Sequence, residues 1–167
     1  VNVFRPVSSG SNICWEGEEY QAGDLLLPGG QRVDAAAVAV AAGAGYRMLT
    51  VRRRMKAVIL STGDELQHPG EDLYPGRIYD SNAAYLRVCL QQLGAKVLAV
   101  HSVGDDVDRI AAAIERYAGT ADLILTTGGV SVGQKDLLES AILQTGGEVL
   151  FHGLAMKPGM PTMLSIK

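Results

Sequence analysis

From Lys56 onward, short apolar runs alternate with stretches whose apolar residues recur at helical spacing. Lys56-Ala57-Val58-Ile59-Leu60 reads as a buried strand. Leu86, Cys89, Leu90 and Leu93 then mark a helix face ending at Gly94, a residue suited to the position after a helix C-terminus. A second cycle has a strand at Val97 to Val100 and a helix between Asp106 and Ala118, with Ile110, Ile114 and Tyr117 on one face. A third begins at Leu123-Ile124-Leu125, with a helix from about Asp136 to Gln144 burying Leu138, Ala141 and Ile142. Val149-Leu150-Phe151 and Met163-Leu164-Ser165-Ile166 supply two further strands. Strands apolar on both faces, alternating with helices, predict a mostly parallel sheet covered on each side. Residues 55–167 are therefore expected to form an α/β, three-layer Rossmann-like domain.

Residues 1–54 follow another pattern. Turn-rich clusters at Ser8-Ser9-Gly10-Ser11-Asn12 and Leu27-Pro28-Gly29-Gly30 flank short strand candidates, and one small helix is expected from Asp34 to Ala42. The pattern predicts a small β-rich segment of an adjoining domain. The chain starts at Val1 and stops at Lys167 inside an apolar run, so it is expected to be an excised, C-terminally truncated piece of a longer protein.

Charge narrows the classes. Among 167 residues, 15 Lys and Arg face 18 Asp and Glu, for a net charge of −3, and this argues against a nucleic-acid binder. The basic run Arg52, Arg53, Arg54 and Lys56 reads as a solvated linker face. Cys14 and Cys89 are too isolated for a disulfide framework or zinc site, which favours a reducing, cytoplasmic setting. His68, His101 and His152 lack ligand-like spacing, and neither a membrane span nor a signal peptide is visible.

Glycine is over-represented, with 20 residues, and its placement points to chemistry. In open parallel sheets, ligands bind beyond the carboxyl ends of the strands. Ser61-Thr62-Gly63-Asp64-Glu65-Leu66 follows the first strand, and Thr126-Thr127-Gly128-Gly129-Val130-Ser131-Val132-Gly133 follows the third. The second loop suits a phosphate, because adjacent glycines let backbone N–H groups approach an anion and the hydroxyls add donors. These loops are expected to be adjacent at one sheet edge. Gly129-Val130-Ser131-Val132-Gly133 also matches G-x-S-x-G, but only His152 follows, leaving little room for a hydrolase's acid and base. Neither a P-loop nor a dinucleotide fingerprint is present.

Acids gather on the same rim: Asp64 and Glu65, Asp80, Asp105 and Asp106, and Asp136. Asp80, Asp105 or Asp106, and Asp136 also sit where helix N-caps belong, so capping and chemistry both remain open for them. Carboxylates beside a phosphate loop suggest hydrated Mg²⁺. Lys157, between the turn signals of Met156-Lys157-Pro158-Gly159-Met160-Pro161, is placed to meet a phosphate as a point charge.

Together these motifs resemble the molybdopterin molybdotransferase family of molybdenum cofactor biosynthesis, which includes the gephyrin E-domain. The resemblance rests on STGDEL at Ser61 to Leu66, IYDSN at Ile78 to Asn82, Gly104-Asp105-Asp106, TTGGVSVGxxD from Thr126 to Asp136, and MKPG at Met156 to Gly159. Upstream, Arg5-Pro6-Val7, Gly10, Asn12-Ile13, Gly17-Glu18 and Ala22-Gly23 resemble the family's entry into this domain. The resemblance implies a molybdopterin-binding fold and, in the full-length protein, insertion of molybdate into adenylylated molybdopterin with release of AMP. It implies Mg²⁺, a homodimer, and a molybdopterin adenylyltransferase as partner, with no nucleic acid or membrane involved. Carried onto matching positions, it makes Glu65, Asp105 and Asp136 catalytic acids, with Asp105 and Asp136 at the metal. Substrate binding would fall to Thr62, Gly63, Asp64, Asp80, Ser81, Asn82, Thr127, Gly128, Gly129, Val130, Ser131, Gly133, Lys157, Pro158 and Gly159.

Several positions depart from the family pattern. Cys14 stands where the family has Arg, Glu19 where it has Asp, and Gly153 and Met160 where it has basic residues. These departures favour, as the alternative, a molybdopterin-binding or scaffold protein that has lost insertion. A second resemblance, to the competence-damage domain of pyridine nucleotide hydrolases, is weaker, because that loop reads TGGLGPT and not TGGVSVG.

Overall fold

The computed structural model of the chain describes residues 2, 4–128 and 137–167. It forms two compact units, Val1–Val51 and Arg52–Lys167.

In the first unit, α1 spans Ala35–Gly43, with Asp34 as N-cap accepting from the Ala37 N–H at 2.9 Å. The Tyr20 hydroxyl donates to the Gly43 carbonyl at 3.0 Å, satisfying an acceptor that the helix end leaves open. The expected β-rich character is not found: the described residues before Arg52 contain no strand. Their backbone closes into successive turns, with Ser11 N–H on Ser8 O, Glu18 on Trp15, Asp24 on Gln21 and Gln31 on Pro28. Donors used within four-residue turns are not available to a ladder, and a short extended run without a neighbour is not stable as a strand.

In the second unit the elements run β1 (Lys56–Thr62), β2 (Leu66–Gln67), β3 (Ile78–Tyr79), α2 (Ser81–Gln92), β4 (Lys96–Val103), α3 (Val107–Ala118), β5 (Leu123–Thr127), α4 (Leu137–Gln144), β6 (Glu148–His152) and β7 (Met163–Ile166). The main sheet has the order β4-β1-β5, all parallel, with Ile59 opposite Val100 and Leu125. β1 is central, and Ala57 to Leu60 are fully buried. Successive side chains of a strand face opposite ways, and the core divides accordingly. Val58 and Leu60 pack with Ile110 and Ile114 of α3 and Leu138, Ala141 and Ile142 of α4. Ala57 and Ile59 pack with Ala83 and Leu90 of α2 on the other face. Helices on both faces of a parallel sheet make the expected three layers.

Two features differ from the sequence pattern. β2 and β3 form a two-residue parallel pair inside the long connection before α2, too short to leave a period. β6 and β7 do not extend the parallel sheet; they form a separate antiparallel pair, with His152 opposite Met163, packed through Val149 and Met163 on the α3 and α4 side.

The entry to β1 is tied to the rest. Arg53 makes a two-pronged ion pair with Asp122, at 2.5 and 2.6 Å, and Asp122 also accepts from the Lys56 N–H at 2.8 Å. The Arg53 guanidinium, followed by the Lys56 N–H, holds the Asp122 carboxyl well below the usual carboxylate range, and Asp122 in turn raises the Arg53 pKa. Arg53 is thus a fastener between the linker and the start of β5, and not simply part of a solvated face.

Candidate functional site

The carboxyl ends of β1, β4 and β5 lie side by side. Ser61 is in register with both Ser102 and Thr127, and the Gly63 N–H reaches the Val103 carbonyl at 3.3 Å. Buried Thr62 donates its hydroxyl to Thr127 O at 3.5 Å. Gly128 sits at φ 89°, and a Cβ there would overlap the Thr62 carbonyl oxygen and lie 2.9 Å from its Oγ1. The β1 and β5 loops therefore touch where the sequence places them. Gly128 also has a role beyond ligand approach, because a side chain there would push the two strand ends apart.

Asp64 and Asp105 face each other across this junction. The Asp64 N–H donates to Asp105 Oδ2 at 3.4 Å, and the Asp105 N–H donates to Asp64 Oδ1 at 3.3 Å. A Cβ on Gly104 would come 2.7 Å from Asp64 Oδ1, so this carboxylate rests directly on the Gly104 backbone. Gly63, at φ 146°, leaves similar room for the Glu65 carboxylate, which a Cβ would meet at 2.6 Å. Asp64 and Glu65 are thus seated on glycines, while Asp105 is held by the Asp64 N–H. Arg77 donates to the Asp64 carbonyl and brings positive charge to it.

The capping question separates by residue. Asp80 is the buried N-cap of α2, accepting from Ala83 N–H at 2.9 Å, and Asp106 caps α3 through Arg109 N–H at 2.9 Å. Asp105 is not a cap, and its contact with Asp64 leaves it for the rim. Ser81 and Asn82 are exposed at the start of α2. The Asp80 N–H donates to Gln67 O and the Ile78 N–H to Glu65 O, so β2 and β3 tether this helix start to the acidic loop.

Lys157, Pro158 and Gly159 lie in the connection between β6 and β7, and Lys157 is exposed. Thr162 Oγ1 donates to Gly159 O at 2.7 Å, and Leu154 N–H and Thr162 N–H both donate to Met160 O, so the connection is braced from within. No hydrogen bond among the described residues joins it to Thr62, Asp64 or Asp105. Gly153 is at φ 91°, where any side chain is strained. Gly129, Val130, Ser131, Gly133 and Asp136 lie outside the described residues.

Sequence reasoning overlooked Arg77; it placed Ser61 in the first loop but gave no sign that its Oγ is buried with no hydrogen-bond partner among the described residues. The Pro75-Gly76 turn ahead of Arg77 was the only available signal. Among the described residues no group of three or more His, Cys, Asp or Glu converges as a metal cage. Hydrated Mg²⁺ needs only one or two protein carboxylates, with water and substrate phosphate completing its shell, so the paired rim acids suit it and do not suit zinc.

Comparison with known proteins identifies the family and the fold. The family described as "Probable molybdopterin binding domain" matches residues 58–167. Molybdopterin molybdenumtransferase 2 of Mycobacterium tuberculosis is 40% identical over 166 residues, covering 96% of this chain and 41% of that protein. The molybdopterin molybdenumtransferase of Bacillus subtilis is 36% identical over 165 residues, covering 99% of this chain and 38% of its own. A crystal structure of the molybdopterin biosynthesis MoeA protein from Pyrococcus horikoshii OT3 superposes with a TM-score of 0.75 at 27% identity, over 97% of this chain and 39% of that one. The chain thus spans about two fifths of the relatives it matches.

Proposed function

This chain belongs to the molybdopterin-binding domain family, and from that premise we propose that it supplies the substrate site of a molybdopterin molybdotransferase, which inserts molybdate into adenylylated molybdopterin and releases AMP. The observation that carries the reading is the junction of Thr62, Gly128, Asp64 and Asp105 at the carboxyl edge of the sheet.

Thr62, Gly63, Thr127 and Gly128, continuing through Gly129, Val130, Ser131 and Gly133, offer backbone N–H and hydroxyl donors to the phosphate of the pterin. Asp64 holds the Asp105 backbone in place, and Asp80, Ser81 and Asn82 at the α2 N-terminus are proposed as further substrate contacts. Lys157, presented by Pro158 and Gly159, offsets substrate negative charge. Asp105 and Asp136 are the proposed Mg²⁺ ligands. When bound, Mg²⁺ would neutralise phosphate oxygens as charge shifts to the leaving AMP. Glu65 is the remaining catalytic acid, positioned to move a proton at the same rim.

The reading extends to a cytoplasmic homodimer that receives its substrate from a molybdopterin adenylyltransferase. The exposed apolar residues Tyr85, Val88 and Leu93 on and beside α2 support a subunit contact.

Calorimetric titration of adenylylated molybdopterin tests the site. Asp105→Asn should lose the Mg²⁺-dependent part of the affinity, and Lys157→Gln should weaken binding in a salt-sensitive way. Wild-type affinity in both variants, with and without Mg²⁺, would exclude the site.

The second reading, a binder without insertion activity, is favoured by the neutral residues Cys14, Gly153 and Met160. Holding an oxyanion beside a phosphate needs cations to offset their repulsion. Met160 is 55% exposed, whereas Gly153 is conformationally restricted, so Met160→Lys is the cleaner restoration. A gain of oxyanion affinity at low salt would support this reading, and efficient insertion by the unmodified full-length protein would reject it.

A further inference from the structure

β4 is the edge strand of the main sheet among the described residues, hydrogen-bonded to β1 alone. Beside it runs a groove of about 360 Å³, with His101, Ser102, Val103 and Gly104 along one wall and Arg109, Ala112, Ala113 and Arg116 of α3 along the other. Three consecutive strand residues, His101 to Val103, and Gly104 just beyond the strand end line this wall, so both faces of the strand's end and its open edge border the groove. An edge strand leaves a row of N–H and C=O groups open for pairing.

The other wall is cationic. Arg109 and Arg116 lie two helical turns apart, about 10 Å along the axis. Both are exposed, and neither has a carboxylate partner among the described residues. The Arg116 guanidinium lies 5.4 Å from the centroid of the Tyr117 ring. Ala112 and Ala113 keep the floor between the arginines low, and among the described residues no acidic residue lines the groove, although the Asp64 carboxylate borders its Gly104 end on the Arg109 side. The groove lining is therefore cationic, most clearly at Arg116, in a chain whose total is −3.

We propose that this groove is a docking site for an extended, acidic segment of a partner protein, which adds to β4 as a strand and sets alternate carboxylates against Arg109 and Arg116. Alternate side chains of a strand lie about 7 Å apart on one face, a spacing that flexible arginines two turns apart can bracket. Backbone pairing would supply the common part of the affinity, and the arginines would select for acidic side chains. Gly104 borders both the groove and the rim, but Arg109 and Arg116, which select the segment, take no part in the proposed rim chemistry.

The probe is a fluorescently labelled, end-capped heptapeptide of alternating Glu and Val, titrated into the whole chain by anisotropy at two ionic strengths. Binding should be saturable and weaken at high salt, and a Gln-for-Glu version of the peptide should bind more weakly. Arg109→Gln and Arg116→Gln should each weaken it by about three- to tenfold, while Lys157→Gln should leave it unchanged. Peptides N-methylated at alternate residues, in each of the two phases, test strand pairing: one phase or the other should abolish binding. The proposal fails if no saturable binding occurs, if both arginine variants bind like wild type, or if both methylated peptides keep the parent affinity.

Discussion

Asp122 illustrates how one side chain fixes a boundary. Its carboxylate takes both prongs of Arg53 and the Lys56 N–H, and its pKa falls as a result. A carboxyl whose folded pKa is lowered contributes stability above its unfolded pKa, near 4, and loses it as pH falls through the folded value. Wild type should therefore lose stability relative to Asp122→Asn as pH drops below about 4, with the two curves separated at neutral pH. Denaturant melts across that range measure it, and parallel curves would show that the pair does not contribute. Gly128 makes the second residue-level case. Alanine there must hold φ near 89° and displace the Thr62 carbonyl, so Gly128→Ala should cost roughly 2–4 kcal/mol of stability. A melt unchanged within 0.5 kcal/mol would mean that the loop relaxes freely. Ligand affinity at this position is interpretable only beside that stability.

At the scale of elements, α3 tests whether a rim acid is a cap or a chemical group. Asp106 accepts from the Arg109 N–H, while neighbouring Asp105 turns toward Asp64. Asp106→Ala should cost about 1 kcal/mol and Asp106→Asn much less, with ligand affinity unchanged in both. A loss of affinity in Asp106→Asn at wild-type stability would move Asp106 into the site. Elements with long apolar periods were legible in the sequence: β1, the small helix α1 and the inward faces of α3 and α4 follow the pattern, whereas on α2 Leu90 is buried but Leu93, expected on the same face, is 82% exposed at the helix end. The two-residue pair β2 and β3 was not, because two residues carry no period. The turn clusters of the first unit predict flanking strands that do not form, since turn residues look the same whether they join strands or only each other. The antiparallel pairing of β6 and β7 was hidden for another reason: apolar runs reveal burial and not direction.

For the molecule as a whole, the rim was readable because chemistry concentrates where strands end. Thr62, Asp64, Thr127 and Gly128 meet as their motifs suggest, and Asp105 joins them through a mutual backbone contact that no spacing rule encodes. Arg77 escaped notice because a lone Arg after a turn is indistinguishable from a solvated one until its Asp64 contact is seen. The family relationship accounts for the fold and the order of the motifs, and the proposed chemistry places the pterin phosphate on that rim. Amide chemical-shift mapping tests this most directly: labelled chain is titrated with adenylylated molybdopterin in the presence of Mg²⁺. The account predicts that perturbations concentrate at Thr62 to Glu65, Gly104 and Asp105, and Thr127 and Gly128, with a second group at Lys157 to Gly159. Saturable binding whose perturbations fall elsewhere, or no perturbation at Thr62, Asp105 and Gly128, would contradict it.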